Sequence, residues 1–564
     1  MSNPILTPIS LWRGFNESIP ENFQADITEE REKDGLLYRE TEFNGRQTAG
    51  GFVRIYGVEV RPNTDEPLPA LLLLTTAKRG VDVAIAERFA RRGYCVFCMD
   101  YRGECADALR FTRYPADIDY ANYLRVGRTI YHADNGAQKT AWYEWTAAAR
   151  FAVAYLKTLP YITSVGAMGM REGGDIVWKL MTMCELSCGI CINAVGWLAY
   201  GGVGKFAEES SMELTEEQRL FIAGLDSQSY APFVKCPVLM LVSLGDSYSV
   251  SDRAYDTFVR INKEQFSSIH YSITSDGLID KNGVKDADMF MDKYLKKREI
   301  FLAEPPAVSL QEENDEPCAV VSFRGQGEVT ACEVYFSESI GGEDEREWTQ
   351  CARSRKNSEG ETVFPLQLYG GASLFLFVRT QYSSGFVVSS KILYQSADKK
   401  YANAETWHTN ILYDSEIDGE IFATAESQEN VLGDCLKADE GIHPQKMEGY
   451  GKISGMGCPN GLKTYRISHP RYAPNEKSLL HFNVYSAEDC KLTVTFFRKE
   501  RGETKSYFYT LPVEGGGKWK SFVLEAGVFH TADGSALNHF CGGSALQLTE
   551  AEQKLFIVNN LLWM

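Results

Sequence analysis

Val165-Gly166-Ala167-Met168-Gly169-Met170-Arg171-Glu172-Gly173-Gly174 runs from an apolar stretch straight into a segment of helical periodicity. An apolar run closed by glycine and continued by a helix reads as a buried strand, a sharp turn and a helix. Gly169 and Gly173 stand two before and two after Arg171. At so tight a turn the flanking backbone comes too close for side chains, and the central residue is pushed out at the mouth of the sheet.

Outward from this turn the same alternation repeats. Continuous apolar runs predict strands at 71–75, 94–99, 165–168, 189–194, 238–243 and 268–273, with helices at 83–92, 140–159, 175–183 and 252–261. Strands of that kind, separated by crossover helices, make an open α/β sheet that is mostly parallel, with helices on both faces. Upstream, the alternating run from Phe52 to Val60 reads as antiparallel strand. Downstream, a helix is expected to end near Phe301, and the prolines and acids of 301–318 read as a linker. Residues 319–395 lose helical periodicity and suggest an immunoglobulin-like β-sandwich, with a second boundary at 396–400 and an all-β jelly roll beyond it. The expected domains are 1–302, 303–397 and 398–564.

Composition narrows the function classes. Of 564 residues 44% are hydrophobic and 24% charged, as in ordinary globular chains. The 58 Lys+Arg against 76 Asp+Glu give a net charge of −18, which repels phosphate backbones and anionic lipid, so no nucleic-acid or membrane partner is expected. The apolar stretch from Leu68 to Leu74 is far short of the roughly 20 residues that span a bilayer. The opening MSNPILTPIS has neither the basic nor the apolar segment of a secretory signal. Cysteines such as Cys95, Cys98 and Cys191 lie inside apolar runs, the pattern of reduced thiols, and a cytoplasmic location is expected.

Residues 70–300 resemble the acetyl xylan esterase and dienelactone hydrolase-like branch of the α/β-hydrolase superfamily. The resemblance rests on the turn at 169–173, on Tyr94 to Gly103 with its D-x-R-G ending, on Tyr230 to Asp246 and on Ser251 to Phe258. It implies that position 171 is the nucleophile's and that Asp246 stands at the triad acid's position. Arg171 is protonated at any physiological pH and cannot attack a carbonyl. The family's histidine belongs around 274–279, which reads TSDGLI. Of the histidines in this part, His270 falls inside the last expected strand and reads as structural, and His132 falls in a loop before a helix. The candidate site is therefore Arg171, Glu172 and Asp246, with His132 as the base a rebuilt site would need. The family's serine-hydrolase route is not expected.

Two fates are open to such a site. Arg171 with backbone N–H groups at a helix start suits a carboxylate, uronate or phosphate; alternatively Arg171 pairs with Asp246 or Glu172 and fills the pocket. Glu172 with Asp246 as a glycosidic acid/base pair is weak, because nothing in the sequence fixes their separation. Cys184, Cys188 and Cys191 match C-x3-C-x2-C, but Cys191 lies in a core strand, so no metal and no other cofactor is expected. Gly201 to Gly204 and Gly515 to Gly517 follow no dinucleotide-binding strand.

The C-terminal region resembles galactose-binding-like jelly rolls used as carbohydrate-binding modules, on Gly517 to Phe522, Phe529 to Gly534 and Val558 to Trp563. Tyr450, Tyr465 and Tyr472 are its candidate sugar platforms, although core packing is the commoner outcome for such tyrosines, and Trp519 and Trp563 are expected in the core. Such modules often carry a structural calcium, for which no tight carboxylate cluster is visible. Three readings follow: a non-catalytic carbohydrate-related binding or regulatory protein, which leads; a carbohydrate esterase or other hydrolase with a site rebuilt from Glu172, Asp246 and His132; and a structural scaffold.

Overall fold

The computed structural model describes residues 3–15, 22–105, 109–126, 133, 135–200, 213–274, 277–313, 316–323, 327–338, 345–357, 360–369, 373–396, 408–419, 421–425, 431–432, 443–500 and 503–564. His132, Gly201 to Gly204 and the boundary at 397–400 lie outside them.

The N-terminal part is built on a nine-stranded sheet: β1 (Asp26–Lys33), β2 (Leu36–Thr48), β3 (Gly51–Pro62), β4 (Leu68–Leu74), β5 (Cys95–Asp100), β6 (Ile162–Met170), β7 (Gly189–Ile192), β8 (Val238–Ser243) and β9 (Ser267–Ser272). Their spatial order is β1-β2-β3-β5-β4-β6-β7-β8-β9. The first three pair antiparallel, β3 meets β5 antiparallel, and from β5 to β9 every pairing is parallel. β5 and β8 are buried at every position, which is why they read as unbroken apolar runs. β1, DITEEREK, is exposed throughout, and its charges shield a sheet edge that would otherwise pair with another chain.

Helices cover both faces. Asp82 caps α1 (Val83–Ala90) by accepting the Ile85 N–H, and Thr140 caps α2 (Ala141–Thr158) through the Tyr143 N–H. α3 (Glu172–Met183) follows β6 without a capping side chain, and α4 (Lys281–Tyr294) is capped by Asp280. Trp142, Trp145 and Trp178 anchor the core on one face, and Phe89, Phe290 and Met291 that on the other. Chain order reverses around β4: β5 lies on one side of it and β6 on the other. Loops leaving β4 and β6 therefore diverge from the same point, where open α/β sheets place their crevice.

Three expectations need correction. The helix expected to reach Phe301 stops at Tyr294, and the helix at 252–261 shrinks to Ala254–Phe258 after a 3-10 turn at Ser251–Arg253. The acidic linker is largely strand: Ala307–Glu313 pairs antiparallel with Glu316–Ser322. Glu304 and Glu312 are exposed and Glu313 is half-buried, which keeps charge on an edge strand.

Two small sheets then face each other across Ala319, Val321 and Phe364 on one side and Val334, Phe336, Leu376 and Val378 on the other, forming a β-sandwich. A second pair of sheets fills the C-terminal part, with Leu480, Phe482 and Val484 against Leu492, Val494, Phe496, Leu546 and Leu548. Trp563 is buried in that core, but Trp519 is not, contrary to the sequence reading. It lies opposite Tyr485 on the outward side of the sheet, and its indole N–H donates to the Tyr450 carbonyl at 3.0 Å. Tyr450 is exposed, whereas Tyr465 and Tyr472 are buried.

The sandwich is joined to the edge of the large sheet. Arg379 donates to Asp280 at 2.9 Å, the Val387 N–H to Asp286 at 3.0 Å, and the Tyr271 N–H to Ser389 at 2.8 Å. Among the described residues no helix is long and apolar enough to cross a membrane.

Candidate functional site

The turn after β6 forms as its glycines require. A Cβ on Gly169 would lie 2.2 Å from the Gly173 carbonyl oxygen, one on Gly173 2.2 Å from the Leu74 carbonyl oxygen, and one on Gly174 2.5 Å from the Ala194 Cβ. None of these three positions accepts a side chain without moving backbone or core. Arg171 sits at the apex with φ 48° and ψ −115°, a conformation costly for a residue with a Cβ and typical of a strained strand-to-helix turn. Strand order, crossovers and this turn agree. The N-terminal part is an α/β-hydrolase-like fold.

Arg171 is buried, and its Nε and Nη2 both donate to Asp246 Oδ2, at 3.0 and 2.8 Å. The same oxygen accepts from Asn193 Nδ2 at 2.9 Å, and Oδ1 accepts the Tyr248 and Ser249 N–H groups, each at 2.9 Å. Asp246 thus has five donors and no exposed side-chain surface. Asn193 is itself fixed, donating to the Gly277 carbonyl at 2.8 Å and accepting the Ser243 N–H at 2.8 Å. Both carboxylate oxygens are committed, so Asp246 has no geometry left for orienting a base.

The loop where the resemblance places a histidine carries Gly277 at this point. Its φ is +80°, and a Cβ there would come within 2.9 Å of Asp246 Oδ2 and 3.5 Å of Arg171 Nη2. The space a histidine ring would occupy beside the acid is filled by the guanidinium. Gly277→Ala is expected to destabilise the chain by about 1–2 kcal/mol through the left-handed backbone and this crowding, read as a lowered thermal midpoint; an unchanged midpoint would contradict it.

Glu172 faces the other way. Its Oε2 accepts the Ala77 N–H at 3.1 Å. In this fold the oxyanion is held by the N–H after the nucleophile and by one from the loop after the strand that here is β4. Ala77 is in that loop, so a carboxylate of the chain itself occupies one of the two donors. The loop is braced from below: Arg102 Nη1 donates to the Lys78 carbonyl at 2.6 Å and Arg102 Nε to Asp100 at 3.1 Å, while Asp100 accepts the Gly103 N–H at 3.1 Å. Burial pushes Asp100 up to about 6. This is what the D-x-R-G stretch does.

Of the candidate residues, Arg171 and Asp246 are brought together, Glu172 is directed to Ala77, and His132 is outside the described residues. His270 is in β9, with Nδ1 2.8 Å from Asp286 and Nε2 3.2 Å from Asp280, both away from Arg171's partners. Cys184 ends α3 and Cys191 lies in β7; among the described residues no group of three His, Cys, Asp or Glu could hold a metal. Asn193, Gly277 and the Ala77 N–H were not legible as site residues. The one signal for Asn193 was an asparagine directly after a buried strand, where it adopts φ 49°.

A buried network lies under the turn. Asp175 accepts the Tyr248 hydroxyl at 2.7 Å, and Lys179, between the rings of Trp142 and Tyr230, donates to the Asp175 carbonyl. Burial lowers Lys179 to about 8 and raises Asp175. Tyr248 thereby ties Asp246's N–H donor to α3, which holds the acid loop in register with the turn.

No family model and no curated protein matches the chain. Among solved structures it is similar to an acetyl xylan esterase from a Paenibacillus species, 12% identical over 52% of this chain and 96% of that one, with a TM-score of 0.39. It is likewise similar to acetyl xylan esterase 1 from a Thermoanaerobacterium species, 16% identical over 53% of this chain and 96% of that one, TM-score 0.39. A dienelactone hydrolase-like protein from Klebsiella pneumoniae matches at 14% identity over 47% of this chain and all of that one, TM-score 0.32.

Proposed function

We propose that the chain is a catalytically silent member of the α/β-hydrolase-like proteins, of the acetyl xylan esterase kind, with a carbohydrate-related binding or regulatory role. The observation that carries this is the Arg171–Asp246 pair: the nucleophile's position holds a cation that occupies the acid directly. A small anionic or sugar ligand is the partner, and the C-terminal sandwich, read as a galactose-binding-like jelly roll, is the module that takes sugar. The immunoglobulin-like sandwich between them joins the two.

The test has two arms. Hydrolysis of p-nitrophenyl acetate and acetylated xylo-oligosaccharides is expected to stay at background; turnover at ordinary enzyme rates of about 1–1000 s⁻¹ that Arg171→Ala or Asp246→Ala abolishes overturns the silent reading. A panel of neutral sugars and uronates is expected to raise the thermal midpoint, since ligand at about 100 times its Kd adds about 2.7 kcal/mol. No shift with any of them overturns the binding role in favour of a scaffold.

A further inference from the structure

A second cluster lies where the sandwich meets the C-terminal part. His469 is buried, and its ring stands edge-on to Tyr369 of the sandwich at 5.7 Å and to Tyr472 at 6.0 Å. Its Nδ1 accepts the Arg471 N–H at 3.2 Å, which puts the ring proton on Nε2. That Nε2–H is buried and has no hydrogen-bond partner among the described residues. Leaving a buried donor unmade costs about 1–3 kcal/mol, and the ring does not escape by charging: burial and the neighbouring Arg471 and Arg466 hold His469 down at about 4.

The two arginines differ. Arg466 is neutralised by Glu347 at 3.1 Å and Asp418 at 2.8 Å. The Arg471 guanidinium lies 5.7 Å from the Tyr369 ring and 5.5 Å from the Tyr472 ring, with no carboxylate paired to it among the described residues. In a chain with 76 acidic side chains, this arginine stands beside a neutral N–H donor and two aromatic rings instead of an acid.

We propose that Arg471, the Nε2–H of His469 and the ring of Tyr369 bind a small carboxylate carried on a ring, of the uronic acid type, with buried Tyr472 as a wall behind the guanidinium. A planar guanidinium matches a carboxylate with two parallel hydrogen bonds, a neutral imidazole N–H serves an adjacent oxygen, and a tyrosine ring takes the apolar face of a sugar. One uncompensated cation balances a monoanion and leaves a phosphate dianion half-neutralised. The site is independent of the Arg171 turn and of whether that turn is silent.

The experiment is calorimetric titration of the full chain with glucuronate, glucose and inorganic phosphate, repeated on Arg471→Gln and Arg471→Lys. Arg471 is exposed, so neither change threatens the fold. Glucuronate is expected to bind, to weaken about tenfold or more in Arg471→Gln, with partial rescue by Arg471→Lys, and glucose and phosphate are expected to bind at least about tenfold more weakly. A uronate-induced shift of the His469 Nε2–H resonance is the second readout. No binding at millimolar glucuronate, binding unchanged in Arg471→Gln, or phosphate or glucose binding as tightly as the uronate each overturns the assignment.

Discussion

Arg171→Ala is expected to destabilise the N-terminal part by about 3–5 kcal/mol, because it leaves a buried carboxylate without its cation. Asp246 would keep Asn193 and the Tyr248 and Ser249 N–H groups, which soften the loss without supplying charge. Trp142, Trp145 and Trp178 lie in the adjoining core, so their fluorescence during urea unfolding reports this part of the chain. A double change, Arg171→Met with Asp246→Asn, is expected to be closer to the parent than Arg171→Ala alone, since removing both charges removes the desolvation cost with the attraction. If the single variant unfolds at the parent's urea midpoint, the pair is not what holds the turn.

His270→Gln is the second large effect, at about 3–5 kcal/mol. It leaves Asp280 and Asp286 without the cation between them, and those two acids also hold Arg379 and the Val387 N–H of the sandwich. The pH dependence follows from the same geometry. Bonds to Asp280 and Asp286 outweigh burial and raise His270 to about 9, so its contribution is complete below about pH 6.5 and is lost as pH rises through 9. At about 1.4 kcal/mol per unit this is about 3 kcal/mol. Asp280 is lowered to about 2 by His270, the Gly283 N–H and Arg379, so its contribution is present above about pH 4 and lost as pH falls through 2. Burial raises Asp286 to about 6, which works in the opposite sense and makes its ionisation between pH 4 and 6 unfavourable. From pH 6 to pH 9.5 the urea midpoint is expected to shift toward lower stability in the parent relative to His270→Gln, since Lys179, lowered to about 8, titrates in the same window with the opposite sign in both. Equal alkaline loss in both would sink the account.

The sheet was readable because buried parallel strands have a one-dimensional signature: β8 was predicted at 238–243 and lies at Val238–Ser243. The turn was readable for a steric reason, since Gly169 and Gly173 have no room for a Cβ. Partnership at the site was not readable. Whether Arg171 reached Asp246 or Glu172, and where Glu172 pointed, depends on loops that meet only in three dimensions. Gly277 illustrates this: in sequence it is one more turn glycine, and in space it lies against Asp246 and Arg171. Trp519 was misplaced for a related cause. Alternation along a strand says which residues share a side, not which side is covered, so Trp519 was assigned to the core and lies on the outward side, whereas Tyr465 and Tyr472 are buried, the commoner outcome for such tyrosines.

The contact between the Glu172 carboxylate and the Ala77 N–H means that a serine at position 171 would not by itself make a serine-hydrolase site. Arg171→Ser would supply an oxygen nucleophile but neither a base nor an empty cradle, because a carboxylate already accepts the Ala77 N–H. A site of that kind would need the serine, a ring at or near 277 and a neutral residue at 172 together. Positions 171, 172 and 277 are thus coupled through the two ends of one turn, and a change at any one of them is read through the other two.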